Sequence, residues 1–150
     1  MSIAKGFVAG LAATAVLSVL MVMKQVMGIM PELNLPKMIA GMMGAPDSPA
    51  IGWLVHVMIG VLGYGAAIAL VARPALGKSA VSTGLLIGFI GWIIMMVMLM
   101  PMAGAGFFGM NMGIMAPVMT LILHLIFGAV LGWTYDRLTT AAARGPAAVH

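Results

Sequence analysis

The sequence predicts an all-α integral membrane protein, a four-helix bundle of two tandem hairpins, and three observations carry that expectation. The composition is 63% hydrophobic and 7% charged, with a mean hydropathy of +1.18, whereas a soluble domain needs many more charged residues to cover its surface. Four apolar runs, at about residues 6–30, 51–72, 81–100 and 117–135, are each long enough to cross a hydrocarbon core of about 30 Å as a helix. No run shows the polar/apolar alternation of barrel strands, and helices satisfy their own backbone groups in lipid.

Taken in order, the first run follows Lys5 as a signal peptide would, but Met23-Lys24-Gln25-Val26 offers no small-x-small cleavage site, so it reads as a retained helix. In the first loop, Pro36 is placed to open a short helix whose Met38, Ile39, Met42 and Met43 would lie on the outer membrane surface. Trp53 at one interface, and Trp133 with Tyr135 at the other, read as aromatic anchors, while Trp92 falls mid-helix and needs a hydrogen-bond partner. Asp136-Arg137 reads as an interfacial pair. Residues 1–140 form one transmembrane domain, and 141–150, ending in His150, read as a disordered tail.

Net charge is +4 with pI near 10.0, yet the basic residues are scattered and flank the apolar runs, which is a topology signal and gives no reason to expect nucleic acid. Lys5, Arg73, Lys78, Arg137 and Arg144 fall on one side, against Lys24 and Lys37 on the other. That bias places both termini in the cytoplasm. The chain has no cysteine, which excludes disulfides and thiol catalysis.

The chain also repeats itself. Gly6-x-x-x-Gly10-x-x-Ala13 matches Gly84-x-x-x-Gly88-x-x-Gly91, and His56 with Gly60 matches His124 with Gly128. Two copies of a helical hairpin would be related by a pseudo-two-fold axis along the membrane normal. Gly6, Gly10, Gly84 and Gly88 are expected to seat the first helix against the third or another neighbour.

The histidines are the chemical signal, because ionisable groups inside a membrane are rare. The repeat puts His56 and His124 at matching depth, bordered by Gly60, Gly128 and Thr120. Three readings stay open. Two axial imidazoles could hold the iron of a b-type haem, with Gly60 and Gly128 making room for the macrocycle. The two rings could instead bind Cu(I) with thioethers such as Met58 and Met119, since 17 of the 18 methionines fall in the outer half of the molecule. Or each His only hydrogen-bonds a neighbouring helix, and the methionines are adaptable filling. No paired carboxylates, phosphate loop or nucleophile with a base is present, so no enzyme activity is expected.

The stretches "MPMAGAGFFGMNMGIMAPVMTLILHLIFGAVLG" (Met100 to Gly132) and "GFVAGLAATAVLSVLMVMK" (Gly6 to Lys24) resemble an uncharacterised family of small four-span bacterial inner-membrane proteins. The resemblance covers nearly the whole chain and implies that architecture and setting, without an activity. The residues point to a non-enzymatic membrane subunit that binds a redox cofactor, for electron transfer, or a hydrophobic ligand in its periplasmic half. It would sit beside a larger respiratory or photosynthetic complex, or in a homo-oligomer, with the lipid bilayer and a quinone as further expected partners. A copper or small-molecule transporter is the alternative.

Overall fold

The computed structural model describes residues 2–72 and 79–143. Arg73, Lys78, Arg144 and His150 lie outside the described residues. Four helices are long and apolar enough to cross a membrane: α1 (Ile3–Val26), α3 (Pro49–Val71), α4 (Ala80–Met102) and α5 (Met115–Ala143). A short α2 (Leu35–Met42) sits between α1 and α3, and a 3-10 segment, Phe107–Met112, leads into α5. Val8, Leu11, Val19, Ile90 and Ile122 are among the apolar side chains left on the outside. Lipid accepts such a girdle and water does not, so the chain is a multi-pass membrane protein.

Two of the spans, α1 and α4, begin where a serine supplies a partner for a first-turn N–H group, whereas α3 opens on Pro49, which has no N–H to satisfy. The Ser2 side chain accepts from Lys5 N at 3.4 Å at the head of α1, and Ser79 accepts from Ser82 N at 3.1 Å at the head of α4. Helix α1 stops at Val26, short of the expected residue 30. The chain turns back through Gly28 and Met30, both with positive φ. The buried Lys24 ammonium then donates to the carbonyls of Ile29 (3.1 Å), Met30 (2.9 Å) and Leu33 (2.8 Å). A buried cation must find partners, and three carbonyls use its three N–H groups.

Glycines zip the hairpins. A Cβ on Gly6 would overlap the Gly65 backbone, and one on Gly10 the backbone of Gly60 and Val61. A Cβ on Gly84 would overlap Gly128, and one on Gly88 the His124 carbonyl. Small residues four apart let backbones touch in lipid. The contacts therefore join α1 to α3 and α4 to α5, inside each hairpin, and these glycines do not seat the first span on the third.

The hairpins meet mainly through α1 and α5. Ala9, Ala13 and Leu17 share a core there with Phe127, Leu131 and Tyr135, joined by Ile68 and Ala69 of α3. Tyr135 is buried in that core and is no interfacial anchor. Trp133 is exposed, and Arg137 stacks 5.3 Å above its ring. Adjacent helical residues do not face one another whereas residues four apart do, so Arg137 goes to Trp133. At the opposite end, a second core gathers Met95, Met96 and Met100 with Leu33 and Ala105, and Met30, Met38, Met112 and Met119 pack around it.

Helix α2 buries Pro36, Ile39 and Ala40, and Gly52 of α3 lies directly against Pro36. Its inner side packs on protein, while Met43 is exposed. The surface helix expected from Met38, Ile39, Met42 and Met43 is thus a cap on the bundle. Helix α5 continues to Ala143, so helix persists into the first residues of the stretch read as tail.

Candidate functional site

Two π-helical turns set the site. One, Ile59–Tyr64, interrupts α3, and the other, Met95–Leu99, interrupts α4. Such turns widen a helix locally and recur at functional sites. Ile59, Gly60 and Tyr64 from the first, with Met95, Met98 and Leu99 from the second, wall one cavity of about 270 Å³. His56 and His124 both face it, as do Met42 of α2 and Met102 at the end of α4. A second cavity of about 250 Å³ adjoins it, with Lys24, Trp53 and Thr120 in its wall. Leu17, Leu35, Met95 and His124 line both.

The imidazoles are held differently. His124 Nδ1 lies 2.8 Å from the carbonyl of Thr120, one turn earlier on α5. A carbonyl only accepts, so in the neutral ring Nδ1 carries the proton and donates it, leaving the Nε2 lone pair free. His56 Nε2 lies 3.4 Å from Ser18 Oγ of α1. The Ser18 hydroxyl gives its single proton to the Thr14 carbonyl at 2.6 Å. The His56 Nε2–H group therefore donates to Ser18, and the free lone pair is on Nδ1. Trp53 packs edge-on to His56, ring centres 5.6 Å apart.

The two rings are not repeat equivalents in space. An offset of 78 residues carries Ser18 of α1 onto Met96 of α4. Ser18 contacts His56, but Met96 Sδ contacts Thr120, at 3.7 Å from its hydroxyl. Likewise Gly10 meets Gly60 and Val61, while its counterpart Gly88 meets His124. The spatial counterpart of His56 is Thr120. In that frame His124 sits one helical turn, about 6 Å, deeper from the α2 end than His56, and the matching depth expected from the sequence is corrected by one turn.

Several nominated residues are occupied by packing. Gly60 lies against Thr14, and Gly128 against Gly84, so both serve helix contact, Gly60 while also bordering the cavity. The Thr120 hydroxyl donates to the Ala116 carbonyl at 2.7 Å and accepts from Trp92 Nε1 at 3.1 Å. Trp92 has the partner it was expected to need. Met58 is 48% exposed and Met119 packs in the methionine core; neither lines the cavity with the imidazoles.

Of the methionines in the outer half, Met42, Met95, Met98 and Met102 line the cavity in place of Met58 and Met119, and Ser18 and Tyr64 join the site with no expectation attached to them. A signal was present for the α4 set, since Met95, Met98 and Met102 fall at the spacing of one helix face. For Ser18 it was the pair Thr14-x-x-x-Ser18, two hydroxyls four apart in an apolar span. Tyr64 crosses to α4, where its phenol lies against Gly91, and its ring packs edge-on to Phe127 at 4.8 Å. No group of three or more His, Cys, Asp or Glu able to hold a metal occurs among the described residues.

The sequence profile of a family of unknown function, DUF6789, matches residues 1–145. The chain belongs to that family. The match runs through all five helices and both cavities, so the whole site lies within the family's shared stretch. No curated protein and no solved structure matches the chain.

Proposed function

We propose that the chain is a non-enzymatic membrane protein that holds a small ligand between its hairpins, in the cavity shared by His56 and His124, as an accessory subunit of a larger membrane complex. One observation carries this reading. Two π turns face each other across a mostly apolar cavity into which two imidazoles, each with one nitrogen unused by the protein, are brought from different helices. An apolar pocket with a few convergent polar groups is what a small-ligand site looks like.

Leu17 borders both cavities, so Leu17→Trp fills their junction from α1. Native mass spectrometry of the chain purified from its own membranes should show a bound adduct in the wild type and its loss in Leu17→Trp. A wild-type chain that carries no adduct and binds none saturably ends the ligand reading. The accessory role rests on how little of the described chain lies outside the spans, essentially α2 and the 103–114 connection. Mild detergent extraction should bring the chain out in a defined larger complex; a solitary chain would refute that part.

A further inference from the structure

The cavity has the chemistry of a soft, monovalent metal. We infer that His56 Nδ1 and His124 Nε2, with thioether from the Met95, Met98 and Met102 face of α4, form a Cu(I) site. This inference rests on the ligand-binding reading above and names the ligand.

The donor set decides the ion. Both imidazoles are neutral donors whose second nitrogen is anchored, His124 by the Thr120 carbonyl and His56 by Ser18, and such anchoring fixes the tautomer and orientation of metal-binding histidines. The other side-chain heteroatoms in the wall are the sulfurs of Met42, Met95, Met98 and Met102 and the neutral hydroxyls of Thr14, which donates to the Gly10 carbonyl, and Tyr64, and no carboxylate lines it. Without an anionic ligand, a divalent ion in this apolar surrounding keeps its full charge unneutralised, and a monovalent one leaves half as much. Structural zinc takes four ligands from thiolate, imidazole and carboxylate, of which this cavity offers two imidazoles. Thioether with imidazole is a soft set that selects Cu(I).

The placement of the methionines adds a route. Met95 is buried deep in the cavity, whereas Met98 and Met102, one and two turns nearer the α2 end of α4, are exposed. All three line the cavity, so exposed methionine leads inward to buried methionine and then to the rings. A metal that exchanges between weak neutral ligands can pass along such a ladder without crossing a charged residue.

The test uses the full chain in detergent, titrated anaerobically with Cu(I) against a coloured Cu(I) chelator. The same sample is read by X-ray absorption and by native mass spectrometry. One Cu(I) per chain, with nitrogen and sulfur scatterers, is expected, along with at least tenfold weaker binding in His124→Ala. Because a histidine variant can misfold, Met98→Leu with Met102→Leu, both on exposed side chains, is the second variant; it should keep its helical circular dichroism and lose affinity several-fold. Zn(II) should not compete. Copper binding no tighter than in empty detergent, or unchanged in both variants, overturns the copper site. If an organic adduct is then present and lost in Leu17→Trp, the cavity reading survives; if neither copper nor adduct is found, both fall.

Discussion

The two ends of the bundle solve the packing problem in opposite ways. Toward the termini, Gly6, Gly65, Gly84, Gly128 and Gly132 bring backbones into contact, and the core is built of alanines fitted to Phe127, Leu131 and Tyr135. Toward α2, the core is methionine, the Met95–Leu99 π turn lies there with the Ile59–Tyr64 turn at the middle of α3, and methionines help to wall both cavities. Close backbone contact is unforgiving and holds two helices in one register. Flexible thioether filling tolerates change, and it surrounds the part of the molecule that has space to admit something. In lipid, where association rests on packing more than on escape from water, this divides one small bundle into a fixed half and an adaptable half.

Substitutions that exchange the properties of the halves would sharpen or break this contrast. The largest effect should come from Gly84→Leu, whose side chain has only the Gly128 and Gly132 backbone in front of it. About 3 kcal/mol of overpacking is expected, read as a fall in thermal unfolding temperature in detergent. A normal melt would mean that the hairpin contact is not as close as described. Next, Lys24→Met removes the ammonium that gathers the Ile29, Met30 and Leu33 carbonyls. A loss of about 2 kcal/mol is expected, with faster hydrogen exchange at residues 29–33 while α4 and α5 stay protected. In the adaptable half, Met96→Leu replaces a fully buried side chain with one of similar volume and should cost less than about 1.5 kcal/mol. If it melts as low as Gly84→Leu, the two halves do not differ. The smallest change belongs to Gly63→Ala, three residues from Gly60 but with nothing near its added Cβ. Its melting temperature should stay put or rise slightly.

Much of this was open to reading in the residues. Four spans follow from run length and the scarcity of charge. The glycine pattern showed that two hairpins repeat, and the two histidines were singled out because little else in the spans can ionise. Partners were not readable. Glycines recur every four residues on α5, at Gly128 and Gly132, so an alignment by spacing fits equally well when displaced by one turn. His124 was matched to His56 when its spatial place is that of Val61 or Gly60. For the same reason Gly60 and Gly128, read as room beside a ring, proved to be the contact points of the helices themselves.

By itself, the sequence determined the class of molecule and its number of spans, because a hydrocarbon core imposes length and polarity on any segment that crosses it. It also determined that imidazole and thioether would be the main metal-binding groups available, because there is no cysteine and there are only three carboxylate side chains. Tertiary structure alone decided which glycines touch, that Ser18 and the Thr120 carbonyl orient the two rings, and that Met95, Met98 and Met102 face them while Met58 and Met119 do not. Those outcomes depend on the rotation and axial shift of one helix against another. A shift of one turn changes neither composition nor periodicity, so it left no mark in the sequence for a reader to find.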